Sequence, residues 1–138
     1  MKATIEKVYP IEFKEKIKEI IKQEKERLNN LGRTQVLQEI LHIIKENVEG
    51  VTDANIDDYN RYGEYSVVIY VDIDAVKREE ISLKKIYSRI MSVFYNFDKE
   101  LNWSIWTSLA ESPRKIYIDA YDGYKYPTNY YLFDVSIQ

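Results

Sequence analysis

Two aspartates spaced two residues apart are the pair in this sequence best suited to catalysis. Asp72 and Asp74 lie in the alternating segment EYSVVIYVDIDAV, and on a strand this spacing directs both carboxylates to one side. Paired carboxylates bind hard cations such as Mg²⁺, which polarise phosphate groups. With Asp119 supplied by another strand, the set would suit a metal-dependent phosphoryl-transfer enzyme or nuclease. No glycine-rich phosphate loop accompanies these residues, and we keep this hypothesis as an alternative.

A weaker metal-binding pattern precedes that segment. Asp53, Asn55, Asp57 and Glu64 match ligand positions one, three, five and twelve of an EF-hand calcium loop. The sixth position is Asp58, where the loop requires Gly, and a predicted strand follows where a helix should stand. These departures favour a polar turn, so we predict neither a metal nor a cofactor for this chain.

Composition excludes several other chemistries. The chain has 138 residues with one His and no Cys, which excludes thiolate nucleophiles and cysteine-based metal sites. His42 has no partner at a triad-like spacing and is expected at the surface of a helix. A net charge of −3 with 45% hydrophobic residues predicts a single folded domain over residues 1–138. No apolar run suits a signal peptide or a membrane span, so we expect a soluble cytoplasmic protein without a membrane partner.

The N-terminal third predicts a helical hairpin over about residues 10–49. Apolar residues recur at helical spacing from Ile11 to Leu31, Gly32 is the predicted end of this first helix, and Thr34 is the predicted N-cap of the second. The second helix extends to about Val48 with a wide apolar stripe. That stripe would either pack on the chain's own sheet or form a homodimer through the hairpin.

The remainder of the chain predicts a sheet and one further helix. Polar residues 51–63 predict a loop, residues 64–76 alternate as the clearest strand, and Ser82 is the predicted cap of a helix ending near Leu101. Three further strands are predicted within residues 103–110, 115–121 and 129–137. Because short connections join them, we predict an α+β fold in which the hairpin precedes a β-α-β-β-β unit over about residues 64–138 with a mainly antiparallel sheet.

Alternation along these strands separates two sheet faces. The predicted core set is Val67, Ile69, Val71, Ile73, Ile116, Ile118, Tyr131, Phe133, Val135 and Ile137. The opposite set is rich in Asp and Tyr, two residue types that bind basic partners and supply contact area. Trp103 and Trp106 have opposite parity, so one should be buried and the other exposed as a binding hot spot. The predicted partner-binding residues are therefore Tyr70, Asp72, Asp74, Trp106, Tyr117, Asp119, Tyr121, Tyr130 and Asp134.

We find no Walker loop, RNA-recognition aromatic motif or basic helix-turn-helix. The sequence pI of about 5.3 also argues against nonspecific nucleic-acid binding. The sequence therefore favours a non-enzymatic binding protein, an inhibitor or immunity-type factor, that engages a basic macromolecule such as a nucleic-acid-processing protein. The alternatives are the enzyme that uses Asp72 and Asp74, and a structural subunit that assembles through its N-terminal helices.

Overall fold

A computed structural model describes residues 10–59, 63–109, 117–118 and 129–138 of the chain. Within those residues there are five helices and five strands in an α+β arrangement. In chain order they are α1 (Ile11–Gln23), α2 (Lys25–Asn29), α3 (Arg33–Asn47), β1 (Val51–Tyr59), β2 (Glu64–Val71), α4 (Ile73–Lys77), α5 (Leu83–Glu100), β3 (Ile105–Leu109), β4 (Tyr117–Ile118) and β5 (Asn129–Ile137).

The strands form one antiparallel sheet with the C-terminal strand inside it. The order is β1-β2-β5-β3, and β4 also pairs with β5. Tyr130 of β5 pairs with Tyr70 of β2 and with Tyr117 of β4, so β4 lies on the same side of β5 as β3. The α+β class, the N-terminal position of the helices and the antiparallel sheet are confirmed.

One continuous core joins the helices to the sheet. Helix α1 packs against α5, α5 against α3 and β3, and α3 against β1. The pairs Val67–Phe133 and Tyr65–Val135 face this core from β2 and β5, because neighbouring strands place paired residues on the same side. Six members of the predicted core set are buried: Val67, Ile69, Val71, Phe133, Val135 and Ile137.

The N-terminal helices differ from prediction at their ends. The predicted helix from Ile11 to Leu31 is interrupted at Glu24, whose φ of −107° and ψ of 8° depart from helical values. Helix α3 begins after Gly32, where the Gln35 side-chain oxygen accepts from the Gly32 amide at 3.0 Å. Thr34, the predicted cap, instead lies within α3 and hydrogen-bonds the Tyr65 hydroxyl at 3.0 Å.

The helix after Ser82 agrees with its sequence signals. The Ser82 side chain accepts from the Lys85 amide at 3.1 Å, which is the bond expected of an N-cap. The helix then continues to Glu100 and buries the apolar stripe that includes Ile86, Ile90 and Phe97. Here a cap and a strong period agree, so local sequence alone predicts the element.

Strand β1 corrects the prediction of a loop over residues 51–63. Residues Val51–Tyr59 pair with β2, and Ala54 and Ile56 lie opposite Ile69 and Val67 on the core side. The polar residues between them obscured this alternation, and the register also shifts at two places along the strand. A strand at the edge of a sheet tolerates charged residues that an interior strand would not.

Candidate functional site

The strand register places part of the predicted set on the sheet side opposite the core, hereafter the outer face: Tyr70, Trp106, Tyr117, Tyr130 and Asp134. Asp53 and Asp58 of β1, which the sequence predicted in a loop, join them there. One row joins Asp53, Tyr70 and Tyr130, and Tyr117 continues it on β4. A second row joins Asp58, Ser66 and Asp134. The predicted members Asp119 and Tyr121 lie outside the described residues.

The outer face carries acidic side chains without a basic one at its described strand positions. These positions are Asp53, Asn55, Asp58, Glu64, Ser66, Val68, Tyr70, Trp106, Asp134 and Ser136. The face is only partly accessible, since Val68 is 8% exposed. Asp58, Glu64 and Asp134 are exposed, so the accessible charge lies at the end of the strands where β3, rather than β4, pairs with β5.

Trp106 is the large apolar side chain of this face and is 68% exposed. It pairs with Ser136, which pairs on its other side with Glu64, and Asp134 lies two residues away along the same strand. Trp106 and Asp134 are diagonally opposed on neighbouring strands, within contact range of each other, and Glu64 lies one strand further along the same row as Trp106. We call Glu64, Trp106 and Asp134 the acidic corner. Glu64 and Tyr70 are an even number of residues apart on β2 and therefore point to the same side of the sheet. Alternation along β2 could thus have placed Glu64 in the predicted face.

One hydrogen bond within the chain orients the Trp106 indole. Its Nε1 donates to the Ser104 hydroxyl at 3.0 Å. Trp103, in contrast, is partly buried and packs against the core. The opposite parity of the two tryptophans therefore predicts their different environments, with Trp106 as the exposed one. An exposed Trp with a fixed ring loses little conformational entropy when a partner covers it.

The paired aspartates do not share a strand, which corrects the geometry behind the enzyme hypothesis. Strand β2 ends at Val71, and Asp72 is instead the N-cap of α4, where its Oδ1 accepts from the Ala75 amide at 3.1 Å. Asp74 lies in the first turn of that helix and is exposed. The alternation predicted a strand up to Val76, but the strand ends at Val71 because Asp72 caps a helix. The two residues also leave the outer face predicted for them.

This assignment gives Asp72 a structural role that can be measured. We expect Asp72→Ala to lower the free energy of unfolding by about 1 kcal/mol, because it removes a side-chain cap. Asp74→Ala should change it by less than about 0.5 kcal/mol, since its side chain is exposed. Urea denaturation of both variants checks the difference. Equal losses would contradict the assignment, as would a Mg²⁺-induced rise in melting temperature that both variants abolish.

The calcium-loop residues also take up a different structure. Asp53, Asn55 and Asp57 belong to strand β1, and Glu64 begins β2, so the predicted polar turn and the alternative calcium loop are both absent from these positions. Both Asp53 oxygens already accept hydrogen bonds within the chain. Among the described residues, no three His, Cys, Asp or Glu side chains are grouped so that they could hold a metal ion.

His42 lines a shallow groove between α3 and β1. The groove has a volume of about 400 Å³ and is lined mainly by Gln38, Leu41, His42 and Lys45 of α3 and by residues 53–56 of β1. His42 is exposed on the helix, as predicted from its spacing. Across the groove, Lys45 Nζ lies 3.5 Å from Asp53 Oδ1.

The N-terminal helices α1, α2 and α3 bury their apolar residues within the chain itself. Its buried side chains are Phe13, Ile17, Ile21, Leu28, Val36, Leu37, Ile40, Leu41, Ile43, Ile44 and Val48. Ile11 is the large apolar residue of these helices that remains 75% exposed. Most of the apolar surface that suggested a homodimer through residues 10–49 is therefore buried in the core, and the homodimer itself stays a prediction.

Together these features define an α+β domain whose antiparallel sheet has a helix-covered side and an acidic outer face. No protein-family model, curated protein or solved structure matches this chain. In the described part of the chain, no helix has the length and apolar character needed to cross a bilayer. The arguments about function therefore rest on the residues themselves.

Proposed function

We propose that this chain is a non-enzymatic binding protein, of the inhibitor or immunity type, that engages a basic macromolecular partner through the acidic corner. The observation that supports it is an exposed Trp106 diagonally opposite the exposed Asp134, with the exposed Glu64 one strand further along the same face. Tryptophan is enriched among the residues whose truncation costs most at protein interfaces. A cytoplasmic encounter fits the cysteine-free sequence.

The charge of the outer face favours a basic partner over an acidic one. Its described strand positions contain Asp53, Asp58, Glu64 and Asp134, whereas Lys45, which reaches Asp53, belongs to α3. A surface of one sign accelerates encounter with the opposite sign and repels unsuitable partners. Arg on the partner could form two parallel hydrogen bonds with one carboxylate of the corner. The indole would then supply contact area, and the carboxylates would supply directional hydrogen bonds.

Affinity capture with matched variants tests the proposal. Tagged wild-type protein should retain a basic protein in stoichiometric amount from lysate of its own host, with less retained as the salt concentration rises. Trp106→Ala should weaken that complex by about 2 kcal/mol, roughly 30-fold in Kd, since it removes the apolar centre of the interface. Asp134→Lys, made alone, should also weaken the complex, and most strongly at low salt, because the new lysine repels the basic partner.

Two control variants make the same kinds of substitution, loss of an apolar side chain and reversal of a charge, on helix α1. Ile11→Ala removes another exposed apolar side chain, and Glu15→Lys reverses another exposed carboxylate. Both should retain the partner as the wild type does. Retention of the partner by Trp106→Ala and Asp134→Lys, or its loss from the helix variants alone, would refute the acidic corner as the binding surface.

A further inference from the structure

Strand β1 is an edge strand whose regular part is short. In the described residues it pairs with β2 alone, and its register is regular from Asp53 to Ile56 and shifts on either side of that stretch. An edge strand presents backbone groups that can pair with a strand of another chain. Bulges limit such pairing because they twist the edge away from a straight partner. The regular stretch 53–56 is thus the part of the edge best suited to accept a further strand.

Asp53 folds back onto the backbone of this stretch. Its Oδ1 accepts from the Ala54 amide at 2.9 Å, and its Oδ2 accepts from the Asn55 side-chain amide at 3.0 Å. Lys45 of α3 lies 3.5 Å from Oδ1. The Asn55 amide, and after it the Ala54 amide, lower the pKa of Asp53 below its ordinary value. The carboxylate is therefore charged at neutral pH and fixed by three groups.

We propose that Asp53 closes the β1 edge against strand addition by a second copy of this chain. An Ala54 amide that is bonded to Asp53 is not available to an incoming strand. Two β1 strands paired antiparallel would continue the sheet from one copy into the other through the same patch on both.

A second copy is the occupant that suits this edge, because the stretch is chemically identical on both sides of the pairing. Without the Asp53 carboxylate, the Ala54 amide loses this hydrogen bond and can pair with an incoming strand. This inference is independent of the acidic corner, which involves β2, β3 and β5.

The experiment compares the mass in solution of Asp53→Ala with that of the wild type across a range of protein concentrations. Light scattering should show the Asp53→Ala mass rising reversibly toward twice the wild-type value as concentration increases. Amide hydrogen exchange should show new protection in residues 51–59 under the same conditions. Both readouts are needed, because the first reports association and the second locates it.

Two control variants separate a closed edge from a general loss of stability or charge. Asp57→Ala removes one carboxylate from the same strand, and Ser82→Ala removes the cap of a helix elsewhere. Neither should change the mass relative to the wild type. The proposal is wrong if Asp53→Ala keeps the wild-type mass at every concentration, if a control associates equally, or if the new protection lies outside β1.

Discussion

Phe133→Ala should lower the free energy of unfolding by about 3–5 kcal/mol, the usual cost of truncating a fully buried Phe. Phe133 is 0% exposed and lies on β5, one of the two interior strands of the described sheet. Its ring lies 6.0 Å from that of Phe94 and 6.2 Å from that of Tyr87, measured between centroids. Truncation would leave a cavity between the sheet and α5 that rigid neighbours fill only in part.

Urea denaturation of two further variants calibrates that loss. Phe133→Leu keeps most of the volume and should cost clearly less than Phe133→Ala. Ile11→Ala truncates a side chain that is 75% exposed and should cost less than about 0.5 kcal/mol. A cost for Phe133→Ala as small as that for Ile11→Ala would contradict the placement of β5 in the centre of the core.

Gly63→Ala should lower the free energy of unfolding by about 2–4 kcal/mol, because the new methyl group meets both steric and conformational strain. Gly63 has a φ of +84°, and a Cβ built there would lie 2.5 Å from the Ile137 carbonyl oxygen. The atom in the way belongs to the backbone. The Ile137 amide also donates to the Gly63 carbonyl at 2.9 Å, so the two backbone segments cannot move apart without losing this hydrogen bond.

Gly32→Ala supplies the matched control for that substitution. Gly32 has a φ of −80°, and the nearest atom to a built Cβ is the Gln35 side-chain oxygen at 3.7 Å. We expect a loss of no more than about 1 kcal/mol, since Ala is a poorer N-cap than Gly. Comparable melting temperatures for the two variants would show that the approach of Gly63 to the end of β5 is not as close as described.

Local signals predicted those elements in which cap, period and burial agree. The helix after Ser82 and the alternation of β2 up to Val71 are of this kind. The sequence failed at Asp72, because an alternating strand and a helix cap both accept Asp at that position and only tertiary context decides between them. It failed at β1 for a different reason, since an edge strand with bulges and Asp residues resembles a polar loop.

The candidate site was predictable only where strand parity was known. Tyr70, Trp106 and Asp134 could be assigned to one side by alternation, and the register brings their strands together. Alternation could not reveal that Val68 on that side is buried, because burial depends on what covers the sheet. Nor could it show which carboxylates accompany Trp106, since that requires the pairing of β2 and β3 with β5. The acidic corner is thus a product of topology as much as of composition.

Site-specific photo-crosslinking in the native host tests the binding surface most directly. A photoreactive phenylalanine analogue would replace, one at a time, the three large apolar residues described as exposed: Ile11, Tyr95 and Trp106. We predict a specific adduct with a basic protein from position 106, lost when Asp134→Lys is added, and none from positions 11 and 95. An adduct confined to position 11 or 95, or none at position 106, would contradict the acidic corner as the surface through which this protein acts.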